Sequence, residues 1–92
     1  MMFSASLALV GCGPKMEGHL LLGRVVSITN KDESSFTIEK IVANRNHDDT
    51  CTETPDKLLE PGETYNTTFF ICGSVSEIEV DTDRGDTFLH WN

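Results

Sequence analysis

The nine residues VSEIEVDTD (75–83) constrain this chain more than any other stretch. Ile78, Val80 and Thr82 alternate with Glu77, Glu79, Asp81 and Asp83. A period of two puts the apolar members on one face of a strand and the four carboxylates on the other, each about 7 Å from the next. A helix would scatter both sets, so the segment reads as a half-buried β-strand over a core. No stretch of the chain combines helical spacing with a start cap and a stop.

The rest of the chain extends this pattern. HLLLGRVVSITN (19–30) is rich in aliphatic and β-branched residues and reads as one strand, with Leu20, Leu22, Val26 and Ile28 on a shared face. SFTIEKIVANRN (35–46) reads as a second. In it Phe36 and Ile38 have one parity and Ile41 and Ala43 the other, which calls for a bulge near Lys40. TYNTTFFIC (64–72) is a third, with Tyr65, Thr67, Phe69 and Ile71 together, and residues 75–83 and TFLHWN (87–92) complete the set. NKDESS, the Pro-Gly of LLEPGETY and DRGD supply turns. Five strands at roughly ten-residue spacing predict an all-β fold, a small antiparallel sandwich or barrel. The layout ITN, FTIEKIVAN, LEPGETYNTTFF and IEVDTDRG resembles small immunoglobulin-like or transthyretin-like modules. That resemblance implies a fold class and no activity.

Ahead of the strands lies FSASLALV (3–10), an apolar stretch too short to span a bilayer and fitted to the centre of a secretory signal. Leu9, Val10, Gly11 and Cys12 resemble a bacterial lipobox. The resemblance implies a signal peptide over 1–11, a diacylglyceryl group on the Cys12 thiol, a mature chain starting at Cys12 and often an acylated amine. Several acyl chains anchor stably where one is marginal. In that family Asp after the cysteine retains the protein in the inner membrane; Gly13 here implies the outer membrane, facing the periplasm. The sequence departs from the pattern in having no Lys or Arg before Lys15. The competing reading makes residues 3–12 a buried first strand and Cys12 a core thiol. With the lipobox, the expected organisation is a lipidated tether over 12–18 and one β-domain over 19–92.

Lipid on Cys12 leaves Cys51 and Cys72 to pair, and an oxidising compartment favours the disulfide. A metal site at these cysteines is the weaker alternative, since there is no Cys-x-x-Cys and His19, His47 and His90 are scattered. NHDDTC (46–51) brings imidazole, carboxylates and thiol together, but Asp48 and Asp49 would raise a thiol's pKa, the wrong direction for a nucleophile. DTDRGD (81–86) puts Gly85 at a ligand position of a calcium loop and lacks the distant Glu. Its RGD is first a hairpin turn with glycine at positive φ.

The net charge is −8. Such an excess repels phosphate backbones, which argues against nucleic acid, and favours encounter with a basic protein. The row Glu77, Glu79, Asp81 and Asp83 reads first as a solvated face that protects a sheet edge, and second as a docking row for a basic partner. Catalysis by these carboxylates requires a cleft that separates their pKa values, and the sequence signals none. The expected function is therefore a non-enzymatic envelope lipoprotein without a cofactor or small-molecule substrate. It would serve as a binding or accessory module for another envelope protein. The alternatives are a phage-encoded lipoprotein that blocks a surface receptor or inhibits a basic protein such as lysozyme, and a small metal-binding domain or enzyme.

Overall fold

The computed structural model describes residues 13–45, 49–70 and 72–91. Among the described residues the fold is all-β, with eight strands: β1 (Met16–Leu21), β2 (Val25–Asn30), β3 (Phe36–Ala43), β4 (Thr52–Glu53), β5 (Lys57–Leu59), β6 (Thr64–Thr68), β7 (Glu77–Thr82) and β8 (Gly85–His90). One antiparallel sheet runs β1-β2-β6. The other runs β4-β3-β7-β8, with the short β5 beside β4 on the same edge of β3. The pairings of β1 with β2, β2 with β6, β3 with β7 and β7 with β8 repeat the pairing order of an immunoglobulin-type sandwich.

The core lies between the sheets. Val26 and Ile28 from one sheet meet Phe36, Ile38, Ile41, Ile78, Val80 and Leu89 from the other in a single buried cluster. β7 alternates as its sequence dictates, with Ile78, Val80 and Thr82 buried. The change of parity in β3 is resolved by a bulge: the register to β7 shifts between Ile38 and Lys40, so Phe36, Ile38, Ile41 and Ala43 all face the core.

The strand count departs from the expected five for local reasons. Residues 19–30 are a hairpin, not one strand, because the chain turns at Leu22, Gly23 and Arg24. Leu22 and Gly23 both take positive φ, 56° and 71°, and Arg24 N–H donates to the Leu21 carbonyl. Leu22 therefore leaves the face assigned to it and is 93% exposed. β6 stops at Thr68, and Ile71 lies outside the described residues. Between β3 and β6 the sequence offers no strand pattern, yet β4 and β5 form there and pair with β3 on the sheet's far edge.

The expected tether over 12–18 is also revised. Met16, Glu17 and Gly18 belong to β1. Gly18 has no side chain, which lets β1 lie directly over Leu89 and the Trp91 indole; a Cβ there would sit 2.9 Å from Leu89 Cδ1. Cys12 and the signal segment 1–11 lie outside the described residues.

Cys51 and Cys72 form the disulfide, Cα to Cα 5.1 Å, closing residues 51–72 into a loop. It sits on the core edge, with Cys51 buried against the same cluster as Phe69.

Candidate functional site

Among the described residues, the acidic face of β7 gathers the one group of three carboxylates close enough to share a ligand. β7 is not an edge: it lies between β3 and β8. Glu77, Glu79 and Asp81 share the outer face as expected, but all three are half-buried; Asp83 alone of the four is exposed. A central strand has neighbours on both sides, and side chains from Lys40, Val42, Asp86 and Phe88 crowd the row through the register of β3 and β8.

The four carboxylates part company. Glu77 is paired with the Arg45 guanidinium. Asp83 is committed to β3: its Oδ1 accepts from Thr37 N–H at 2.9 Å, and its own N–H donates to the Thr37 carbonyl. Glu79 and Asp81 are joined instead by Asp86, which stands directly opposite Asp81 across the β7–β8 hairpin. Carboxylate oxygens of Glu79, Asp81 and Asp86 all lie within 4.8 Å of one another. Asp86 is the member that reading along the strand missed. The signal was there, since a tight Gly hairpin over 82–85 dictates that 81 and 86 face each other.

The electrostatics follow from crowding. Asp81 is pushed above the ordinary carboxylate range by burial first, then by the hydrogen bond and charge of Glu79, with Lys40 opposing. Asp86 is pushed up by desolvation and by Asp81, again against Lys40. Lys40 Nζ lies 3.8 Å from Asp81 Oδ2, while Asp81 Oδ1 is buried with no hydrogen-bond partner among the described residues. Three carboxylates sharing one ammonium hold a proton readily, dock a cationic side chain, or ligate a hard cation through oxygen.

Other expected groups do not converge on this face. His19 stands on β1 in the opposite sheet, and His90 ends β8; neither joins the carboxylate group. His47 and Asp48 lie outside the described residues. Arg84 and Gly85 form the hairpin turn, Gly85 at φ 109°, and Arg84 reaches Asp32 at 3.5 Å.

A second polar cluster, not foreseen, sits at the sandwich edge near the disulfide. Glu53 on β4 accepts from Tyr65 Oη at 2.9 Å and from Thr67 Oγ1 at 2.6 Å, both on β6. Each donor takes one of the two carboxylate oxygens, so the cluster reads as a brace between the sheets. Comparison of the chain with protein-family models, with curated proteins and with solved structures finds no match, and the functional reading rests on the residues themselves.

Proposed function

We propose that this protein is a non-enzymatic lipoprotein of the bacterial cell envelope, anchored through Cys12 and acting by contact with another envelope protein. The observation that carries the reading is Leu9-Val10-Gly11-Cys12 placed directly before a disulfide-stapled β-sandwich. An apolar stretch of this length ahead of a cysteine suits export and acylation. A small domain closed by a disulfide suits an oxidising compartment. By the sorting rule of bacterial lipoproteins, Gly13 in place of Asp supports the outer membrane, on the periplasmic side. The acidic surface suits a basic partner, which extends the reading to inhibition of a lysozyme-like protein or to blocking of a receptor by a phage-encoded lipoprotein.

The test is acylation. Expressed in a bacterium with efficient export, the wild type partitions into detergent and carries acyl mass on its N-terminal peptide. Cys12→Ser stays soluble or uncleaved. Equal partitioning of both, with no acyl mass, removes the reading.

The convergence of Glu79, Asp81 and Asp86 favours a second reading, a small domain that binds a divalent cation in place of the Lys40 ammonium. Equilibrium dialysis with calcium and zinc decides it. Stoichiometric micromolar binding that Asp86→Asn abolishes supports a cation site; binding indifferent to that change excludes one at these carboxylates.

A further inference from the structure

Residues 13–15, which a lipid-anchored chain ordinarily spends as a linker, are built into the sandwich. Gly13 packs against the start of β8 so closely that a Cβ would stand 2.1 Å from Thr87 Oγ1 and 2.6 Å from the Asp86 carbonyl oxygen. Pro14 is buried, and its carbonyl accepts from Thr87 Oγ1 at 3.2 Å. Lys15 N–H donates to Asp32 Oδ2 at 3.0 Å, and the Lys15 carbonyl accepts from Lys31 N–H. Each residue between Cys12 and β1 is thus fastened to the body of the fold. Asp32 is fastened in turn: it caps Ser34 N–H, and Arg84 lies beside it, so its carboxyl is held below the ordinary range by these backbone donors.

We infer that the protein has no free linker between lipid and fold, so that the end of the sandwich formed by the β7–β8 turn and residues 31–34 is held flush against the bilayer carrying Cys12's own acyl chains. The inference rests on lipidation at Cys12. Consecutive Cα atoms of any chain are at most about 3.8 Å apart, so the packing of Gly13 leaves a lipid on the residue before it no slack. β1 then runs away from this end, and its residues Met16–Leu21 rise about 17 Å at ordinary strand geometry. The far end carries the Leu22–Arg24 turn, tied by Val75 N–H to the Gly23 carbonyl and by Phe69 N–H to the Arg24 carbonyl. Orientation is therefore a property of the fold: the Asp83–Asp86 end faces lipid, and the Leu22 end with the disulfide loop faces away. A protein on a flexible linker would sample both.

The experiment separates this geometry from the question of acylation in cells. Protein starting at Cys12, its other cysteines held in the disulfide, is coupled at Cys12 to a maleimide lipid. It is then docked on zwitterionic nanodiscs containing a gadolinium-headgroup lipid, and amide signals are compared with a diamagnetic control. Signals of Lys31–Ser34 and Asp83–Asp86 are expected to lose intensity several-fold more than those of Leu21–Arg24 and Ser74–Ser76. A Gly/Ser linker of about 16 residues inserted after Cys12, with an r.m.s. span of about 20–24 Å, is expected to make the loss uniform. Gly13→Val, which cannot keep the segment on β8, is expected to move in the same direction. Uniform loss in the linkerless protein overturns the inference and leaves acylation untouched. Acyl mass missing from cell-made protein overturns the lipidation reading, and is scored on a separate sample.

Discussion

Tyr65 Oη donates a 2.9 Å hydrogen bond to Glu53 Oε1, and this contact joins the edge strand β6 of one sheet to the edge strand β4 of the other. Burial, and then Glu53, push the Tyr65 phenol above its ordinary value of 10.0. A folded-state pKa above the unfolded one contributes stability that is complete below pH 10 and is lost as pH rises through the folded value. Tyr65→Phe is therefore expected to cost about 1.5–3 kcal/mol at pH 8, the worth of a hydrogen bond to a charged acceptor. Above pH 10 the gap to wild type narrows. Urea midpoints of both proteins at pH 8 and pH 11 check this; a gap that widens with pH contradicts it.

Asn30 is buried and fully employed. Its Nδ2 donates to the Ser34 and Leu59 carbonyls, its Oδ1 accepts from Asp32 N–H, and its backbone bonds Glu63 and Gly62. One side chain thus fixes the β2–β3 turn to β5. Asn30→Ala strands the buried Leu59 carbonyl and frees two part-buried backbone groups of the turn, and is expected to cost about 2–4 kcal/mol, at one to three for each unsatisfied group. Asn30→Asp keeps the acceptor but loses both donations, and is expected to be no better at neutral pH. Thermal unfolding of the two variants is the measurement.

Asp81 and Asp86 face each other with Glu79 beside them, and both carboxyls are pushed up. The stability linked to a raised carboxyl is complete below its unfolded value of 3.8 and is lost as pH rises through the folded one. Asp86→Asn is accordingly expected to raise the unfolding midpoint at pH 7, and the advantage is expected to vanish toward pH 3. A variant less stable than wild type at pH 7 would show that Asp86 is held by attraction rather than crowded.

Leu22 occupies a left-handed backbone position, φ 56°, while 93% exposed. A branched side chain there is strained, and Asn adopts the conformation more readily. Leu22→Asn, which creates the favoured Asn-Gly hairpin turn, is expected to stabilise by about 0.5–1 kcal/mol. Denaturant titration reads the change directly; destabilisation would mean that Leu22 makes a contact its exposure does not suggest.

Periodicity determined the inward faces of β3 and β7. Ile78, Val80 and Thr82 point inward because a strand's period is two. The opposite parities of Phe36 with Ile38 and Ile41 with Ala43 demanded the bulge found between Ile38 and Lys40, next to the expected position. The pairing of Cys51 with Cys72 was also legible, by counting cysteines with Cys12 set aside as the expected lipid attachment point.

Other features were decided only when the strands were placed beside one another. The hairpin inside 19–30 escaped because its turn residue is Leu22, a side chain that normally avoids positive φ, within an unbroken apolar run. Fixing Gly13–Lys15 required β8 and Asp32, distant in sequence. The carboxylate row was split by partners on β3, β8 and the turn after β3. Local pattern reports which way a side chain points, because backbone geometry sets that residue by residue; which groups it meets depends on strand register, set by long-range packing of the whole core.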